Sequence, residues 1–377
     1  MKTSRRSFFK TTASGTLGSA FLLGSCNTSK QGGETPDYAQ LDAIINAPVL
    51  QLDGLSDPVI IEKLELLRYG NNFLCRVKSQ DGAEGVAVAN NAQMISLYPI
   101  FLNRLQAYFI GKDARAYESL IDGVYVYKSN YKLQSLALWV PLATIEFAVL
   151  DMLGKLTGKS MGALFGEIHN PYVDVYRANN YRGKTAEESL ELIMKQVEGT
   201  DVNALKIKIG GRMSKNADFP PGRTEKLIPL VRKAFGDDKV IYADSNGSYT
   251  TDEAIRIGKI LQENQYDFYE EPVPFDWYEE TRDVAMALDI PIAGGEQESS
   301  MHAFRWLMGN NALDIVQPDI FYYGGMIRAM KVARMAAAMG KVCVPHISGS
   351  GLGYLYMMHF VSALSNAGPY HEFKGFN

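Results

Sequence analysis

Asp244, Glu270 and Glu296 stand twenty-six residues apart, each closing a short, largely apolar run at 240–243, 266–269 and 290–295. A strand, an acidic residue and a helix, repeated three times, place three carboxylates side by side on neighbouring strand ends of one parallel sheet. Three oxygen ligands converging on one point suit a hard divalent cation, Mg²⁺ above all. Asp244 with Asn246 also reads as a turn before a helix, but a turn gives no reason for the equal intervals.

The same alternation runs through the C-terminal half. Apolar runs occur at 173–176, 205–209, 240–243, 267–269, 290–293, 314–316 and 341–344, with amphipathic stretches between them. Repeated βα units of this kind predict an α/β fold, a parallel sheet closed into a TIM-type barrel. An open doubly wound sheet is the alternative. No G-x-G-x-x-G follows a strand, which weakens its dinucleotide-binding form. Thr250 and Glu253 predict a capping box opening one helix. Gly324-Gly325 and Gly340 bracket another at 326–339. Residues 38–165 have a different texture. Strands are expected at 59–67, 73–77 and 85–89, with an Asp81-Gly82 turn, and helices at 95–110 and 141–156. This predicts an N-terminal α+β unit over 38–165 and a barrel over 166–377, with the C-terminal segment returning to that unit.

The first residues read as an address. Arg5-Arg6 and the apolar stretch to Leu23 resemble a twin-arginine export signal, and the stretch is too short to span a bilayer. Leu23-Gly24-Ser25-Cys26 is similar to a bacterial lipoprotein cleavage box, which makes Cys26 a lipidation candidate; an ordinary cleaved signal is the other reading. Residues 1–25 are thus expected to be a signal and 26–37 a tether. The expectation is an exported, periplasmic protein, held to a membrane only through a lipid on Cys26. The net charge is −4, and residues 1–25 carry four cations and no acid, so the remainder is more acidic still. That argues against a nucleic-acid partner. Cys75 and Cys343 lie in apolar surroundings and read as buried thiols.

Catalytic groups of a βα barrel sit where the strands end. Here those ends carry Lys206-Ile207-Lys208, Asp244-Ser245-Asn246, Glu270-Glu271-Pro272, Gly295-Glu296, Gln317-Pro318-Asp319, Pro345-His346 and, near the C-terminus, His371-Glu372-Phe373. Lys206 and Lys208 point the same way, because a strand alternates faces. Singly, each of these reads as a solvated strand residue, a loop carboxylate or a structural histidine. An ionisable group at every strand end is a poor pattern for packing.

In this order the motifs resemble the enolase superfamily, and more narrowly its mandelate racemase branch, over roughly residues 50–377. The resemblance implies a modified (β/α)₇β barrel with an N-terminal α+β capping domain. It implies one Mg²⁺ on Asp244, Glu270 and Glu296, with Glu271 behind them. It implies removal of a proton α to a carboxylate, giving an enediolate whose charge a divalent cation offsets. Such sites pair a Lys or His base with Mg²⁺ in general. Lys208 is then the base on one face, with Lys206 disfavouring its charged form and contacting the substrate carboxylate. His346, oriented by Asp319, works on the other face. Glu372, if protonated, donates a hydrogen bond. Asp319 stands where the muconate-cycloisomerase and dipeptide-epimerase branch has a lysine, which points away from those reactions. The family's even-numbered assemblies make a homo-oligomer the expectation.

Substrate selectors are sought in the first turn of the N-terminal unit (Arg68, Tyr69, Asn71, Asn72), after the first barrel strand (Arg177, Asn179, Tyr181), in Asn246, and in the polar segment 211–223 (Arg212, Lys215, Asp218, Arg223). Their character favours a polyhydroxylated carboxylate. The expected reaction is dehydration of a sugar acid. Racemisation or epimerisation of a 2-hydroxy or amino acid is the alternative, and a non-catalytic exported binding lipoprotein the third reading.

Overall fold

The computed structural model describes residues 38–349 and 351–375. The expected signal, tether and Cys26 lie outside the described residues.

Strands β1 (Ile61–Tyr69), β2 (Asn72–Ser79) and β3 (Glu84–Val88) form an antiparallel sheet in that order. β2 buries Phe73, Cys75 and Val77 on alternate positions, so one face is committed to a core. That core is the helix Leu136–Thr157, buried over most of its length. Gly85 lets β3 lie on it, since a Cβ there would fall 1.9 Å from the carbonyl oxygen of Ala148. The helix starts before the expected 141: Pro141 sits in its second turn and not at the first position that proline usually marks. The expected helix at 95–110 is Asn91–Ile100, continued through a π-helical turn, Phe101–Leu105, into Gln106–Phe109.

The second sheet holds eight parallel strands: β4 (Val175–Ala178), β5 (Ala204–Lys208), β6 (Val240–Asp244), β7 (Phe268–Glu270), β8 (Ile292–Gly294), β9 (Ile315–Val316), β10 (Val342–Cys343) and β11 (His371–Phe373). Their order is β10-β9-β8-β7-β6-β5-β4-β11. A bridge from Cys343 to Ala367, in the segment entering β11, curls the sheet closed. One main helix follows each of β4 to β10, giving a (β/α)₇β barrel. The final described residues, 371–375, stay with the barrel: β11 pairs with β4, and Lys374 N donates to the Tyr354 hydroxyl. Ahead of them the helix Gly353–Ser362 reaches the N-terminal unit, its Tyr356 hydroxyl accepting from Val88 N at 2.8 Å.

Tyr176, Ala178, Ala204, Tyr242, Phe268, Ala293, Ile315 and Val344 fill the barrel interior. Tyr242 stacks on Phe268 at 3.7 Å, and Tyr176 meets Tyr242 edge-on at 5.2 Å. This aromatic floor closes the barrel beneath the strand ends. The N-terminal unit and barrel share one core: Phe147 packs on Phe321 and Tyr356 at 5.1 and 4.5 Å. Cys75 and Cys343 are buried free thiols. The helix at 251 begins as expected, but without the capping box: Thr250 Oγ1 bonds Asn216 Oδ1 and Glu253 pairs with Arg256. A capping box forms instead at Thr185 and Glu188.

Candidate active site

The interior residues fix which neighbours point inward. On β5, Ala204 faces the barrel, so Lys206 and Lys208 do too. On β6 the inward series is Val240, Tyr242, Asp244, and on β7 it is Phe268, Glu270. Past β9 it continues from Ile315 to Gln317 and Asp319, past β10 from Val344 to His346, and on β11 Glu372 lies level with Tyr176. Lys208, Asp244, Glu270 and Ala293 lie level across four adjacent strands. Glu296 breaks this rule. It lies three residues past Ala293, where alternation would aim it outward. Gly295, at φ +111, turns the chain, and a Cβ there would meet the Phe304 ring at 2.6 Å.

Asp244, Glu270 and Glu296 thus converge, with ligand atoms within 4.8 Å of one another and all three buried. Such a cluster needs positive charge. Lys206 Nζ lies 2.8 Å from both oxygens of Glu270 and 3.5 Å from Glu372. Burial opposes its charge, but Glu270 and Glu372 hold it well above the usual lysine range. Lys208 Nζ bonds Asp244 and stands 3.4 Å from Asn246 Oδ1. Against its burial, Lys208, Lys206 and Arg182 keep Asp244 below the usual carboxylate range. Burial and the neighbouring Glu296 and Asp244 push Glu271 well up; its Oε2 accepts from Asn246 Nδ2 at 3.1 Å. The triad fits a divalent cation on its own chemistry: three hard oxygen donors, with Glu296 Oε2 buried and, among the described residues, accepting no well-formed hydrogen bond.

His346 stands at the other end. Its Nδ1 lies 2.7 Å from Asp319 Oδ2 and its Nε2 3.3 Å from Glu296 Oε2. Burial disfavours the imidazolium, but Glu296, Glu372 and Asp319 raise its pKa overall. Glu372 lies beside this pair, 3.5 Å from Lys206 Nζ and 3.6 Å from His346 Nε2. Burial favours its neutral form, yet Lys206, His346 and Lys374 hold its carboxyl well below the usual range, and it accepts from Ile347 N at 3.2 Å.

Asn246 lies at the site, bonding Glu271 and Arg212 as well as Lys208. The other selectors fare differently. The Arg68 guanidinium lies over Phe73 and Tyr98 at 5.2 and 5.6 Å, and Asn72 accepts from Asn91; these partners all belong to the N-terminal unit. Tyr69 is 88% exposed. Arg177 falls on the outward face of β4, against Phe373. Arg223 opens a helix and binds the carbonyls of Lys208 and Tyr181, so it is a strut and not a mouth residue. Gln317 received no role from the sequence, yet its Nε2 donates to Glu270 at 3.0 Å. Its place two residues before Asp319, on the same strand face, was the available signal.

At its strand ends the closed βα barrel gathers a buried carboxylate triad that could hold a metal ion, with a lysine on one side and a histidine–aspartate pair on the other. Residues 188–377 match the model of the enolase C-terminal domain-like family, and the chain belongs to that family. An arabinonate dehydratase of Saccharolobus solfataricus is 27% identical over 70% of this chain and 68% of its own length. A D-galactarolactone cycloisomerase of Agrobacterium fabrum is 29% identical over 78% and 75%. A mandelate racemase/muconate lactonizing protein of Paracoccus denitrificans, solved with magnesium, superposes at a TM-score of 0.76, with 26% identity over 83% of this chain and 86% of its own. The chain is accordingly an enzyme of the lyase or isomerase class.

Proposed function

We propose that this enzyme is a Mg²⁺-dependent sugar-acid dehydratase, removing the proton α to a carboxylate and expelling the β-hydroxyl as water. The observation that carries this reading is a proton carrier at each end of the triad: Lys208 against Asp244, and His346 against Glu296. Asp244, Glu270 and Glu296 would hold the Mg²⁺, which when bound supplies the positive charge that stabilises a substrate carboxylate gaining electron density.

The chain's residues account for the rest. Lys206, kept cationic among Glu270 and Glu372, adds fixed positive charge beneath the substrate. The aromatic floor excludes water from below, which strengthens these interactions. Lys208 Nζ accepts the α-proton on one side. His346 Nε2 delivers a proton to the departing β-oxygen on the other, its Nδ1 held by Asp319. The enol left behind becomes the 2-keto-3-deoxy acid. The relatives named as arabinonate dehydratase and L-talarate/galactarate dehydratase support the substrate class. Incubation with Mg²⁺ and a panel of aldonic and aldaric acids, with detection of 2-keto acids, tests the reading; absence of product throughout contradicts it.

The lactone cycloisomerase among the relatives favours a second reading. A ring oxygen leaving from the β-position uses the same two proton carriers, so Asp319 by itself does not set cycloisomerisation aside. Racemisation would use them as well, and α-hydrogen exchange without elimination would mark it.

A further inference from the structure

We infer that Asn90 and Ser348 are positioning residues: a relay through which the N-terminal unit holds the His346 ring in its working orientation. Asp319 does more than bond His346. Its Oδ1 accepts from Phe321 N, Tyr322 N and Ser348 Oγ at 2.8, 2.9 and 2.9 Å, and its Oδ2 accepts from Ser348 N at 2.7 Å as well as facing His346 Nδ1. Ser348, two residues past His346, therefore grips both oxygens of the carboxylate that aims the ring.

Ser348 Oγ donates its proton to Asp319 and accepts from Asn90 Nδ2 at 2.9 Å. Asn90 belongs to the other unit. It follows β3, is 3% exposed and caps the helix Asn91–Ile100, its Oδ1 accepting from Gln93 N at 3.3 Å. That bond fixes which end of the amide faces Ser348, so the relay runs in one sense: Asn90 amide to Ser348 hydroxyl, Ser348 hydroxyl to Asp319, Asp319 to His346. Tyr322, whose ring centroid lies 6.4 Å from that of His346, packs into the small cluster of Phe73, Ala89, Met94 and Val140 around this junction. The Lys208 end is built differently, since its partners Asp244 and Asn246 both belong to the barrel. Docking of the N-terminal unit thus bears on one proton carrier and leaves the other alone.

The inference rests on His346 as a proton carrier, and His346→Ala tests that separately. The full chain with Mg²⁺ is assayed on the acid it turns over, alongside Ser348→Ala, Ser348→Thr and Asn90→Ser. The last keeps a helix-capping oxygen but is too short to reach Ser348. The relay predicts kcat down about tenfold or more in Ser348→Ala and Asn90→Ser, with KM and Mg²⁺ affinity unchanged. It predicts recovery in Ser348→Thr, and no further loss when Asn90→Ser is added to Ser348→Ala, because contacts in one chain are not additive. A readout independent of turnover is the Nδ1–H resonance of His346, sheltered by Asp319 in the wild type and broadened in both variants. Wild-type kcat and an unchanged resonance in well-folded variants, with His346→Ala inactive, overturn the relay alone. Full activity of His346→Ala overturns the proposed role of His346 instead.

Discussion

Gly295 has no side chain, and Glu296 reaches the triad because of it. Any other residue there must adopt φ +111 and push on the Phe304 ring. Gly295→Ala is expected to fold with a somewhat lower thermal midpoint and to bind Mg²⁺ at least ~10-fold more weakly by calorimetry, one of three anionic ligands being misplaced. Unchanged affinity would show that Glu296 is not a ligand. Lys208→Ala should leave metal binding in place and lower kcat by roughly 10²–10⁴, the range of a lost general base; steady-state kinetics on a turned-over acid checks this. Residues of this kind were legible in the sequence to the extent that strand alternation aims them. Lys206, Lys208, Asp244, Glu270, Asp319 and His346 continue inward-facing series, so their positions followed from period two. Glu296, which alternation aims outward, is marked instead by its interval and by the Gly295-Glu296 motif. Only chemical character points to Arg68, Tyr69, Asn72 and Arg177, and it does not say where a loop or strand-edge side chain turns; Arg68 and Asn72 have their partners within the N-terminal unit. The Asn90–Ser348 contact spans 258 positions with no periodic cue.

Between elements, the junction of the helices Leu136–Thr157 and Met326–Ala338 carries a buried acid. Glu146 Oε1 accepts from Ile327 N at 3.1 Å, and Gly325 at φ +116 leaves it room, a Cβ there falling 2.2 Å from the carboxyl carbon. A helix N-terminus favours a carboxylate, but burial dominates and pushes Glu146 up to about 8 from 4.5. Between those values the folded chain binds the proton more tightly than the unfolded chain. Stability from this group is therefore fully present below pH ~4.5 and falls as pH rises through about 8, each tenfold difference in proton affinity being worth about 1.4 kcal/mol. Glu146→Gln keeps the accepting oxygen without the proton, so thermal midpoints measured from pH 5 to 8.5 should show a flatter decline than the wild type. Parallel slopes would mean that Glu146 titrates normally. The order of strands and helices was readable because apolar runs and turn residues are local. The start of Leu136–Thr157 was not, since burial over both faces erases the amphipathic period and Pro141 sits where no rule places it.

At the scale of the molecule, the curled sheet gathers three acids, two lysines and a histidine that are distant in sequence and buries them above the aromatic floor. A cation that binds only the folded barrel stabilises it by mass action, about 2.7 kcal/mol at a hundredfold excess over Kd. Chelation should lower the thermal midpoint, Mg²⁺ restore it, and Asp244→Asn abolish the response; a midpoint indifferent to both would argue against a resident metal. Sequence alternation announced the closed barrel, whereas the docking of the N-terminal unit onto Ser348 and Tyr322 depends on surfaces that only the folded chain brings together. The sharpest test of the proposed chemistry follows the α-hydrogen itself. Candidate sugar acids are incubated with the protein and Mg²⁺ in D₂O and read by proton NMR. Metal-assisted proton abstraction predicts loss of the α-hydrogen signal with appearance of a 3-deoxy-2-keto acid for at least one acid, abolished by chelation and by Lys208→Ala. Retention of the α-hydrogen in every acid by a folded, Mg²⁺-binding protein would contradict it.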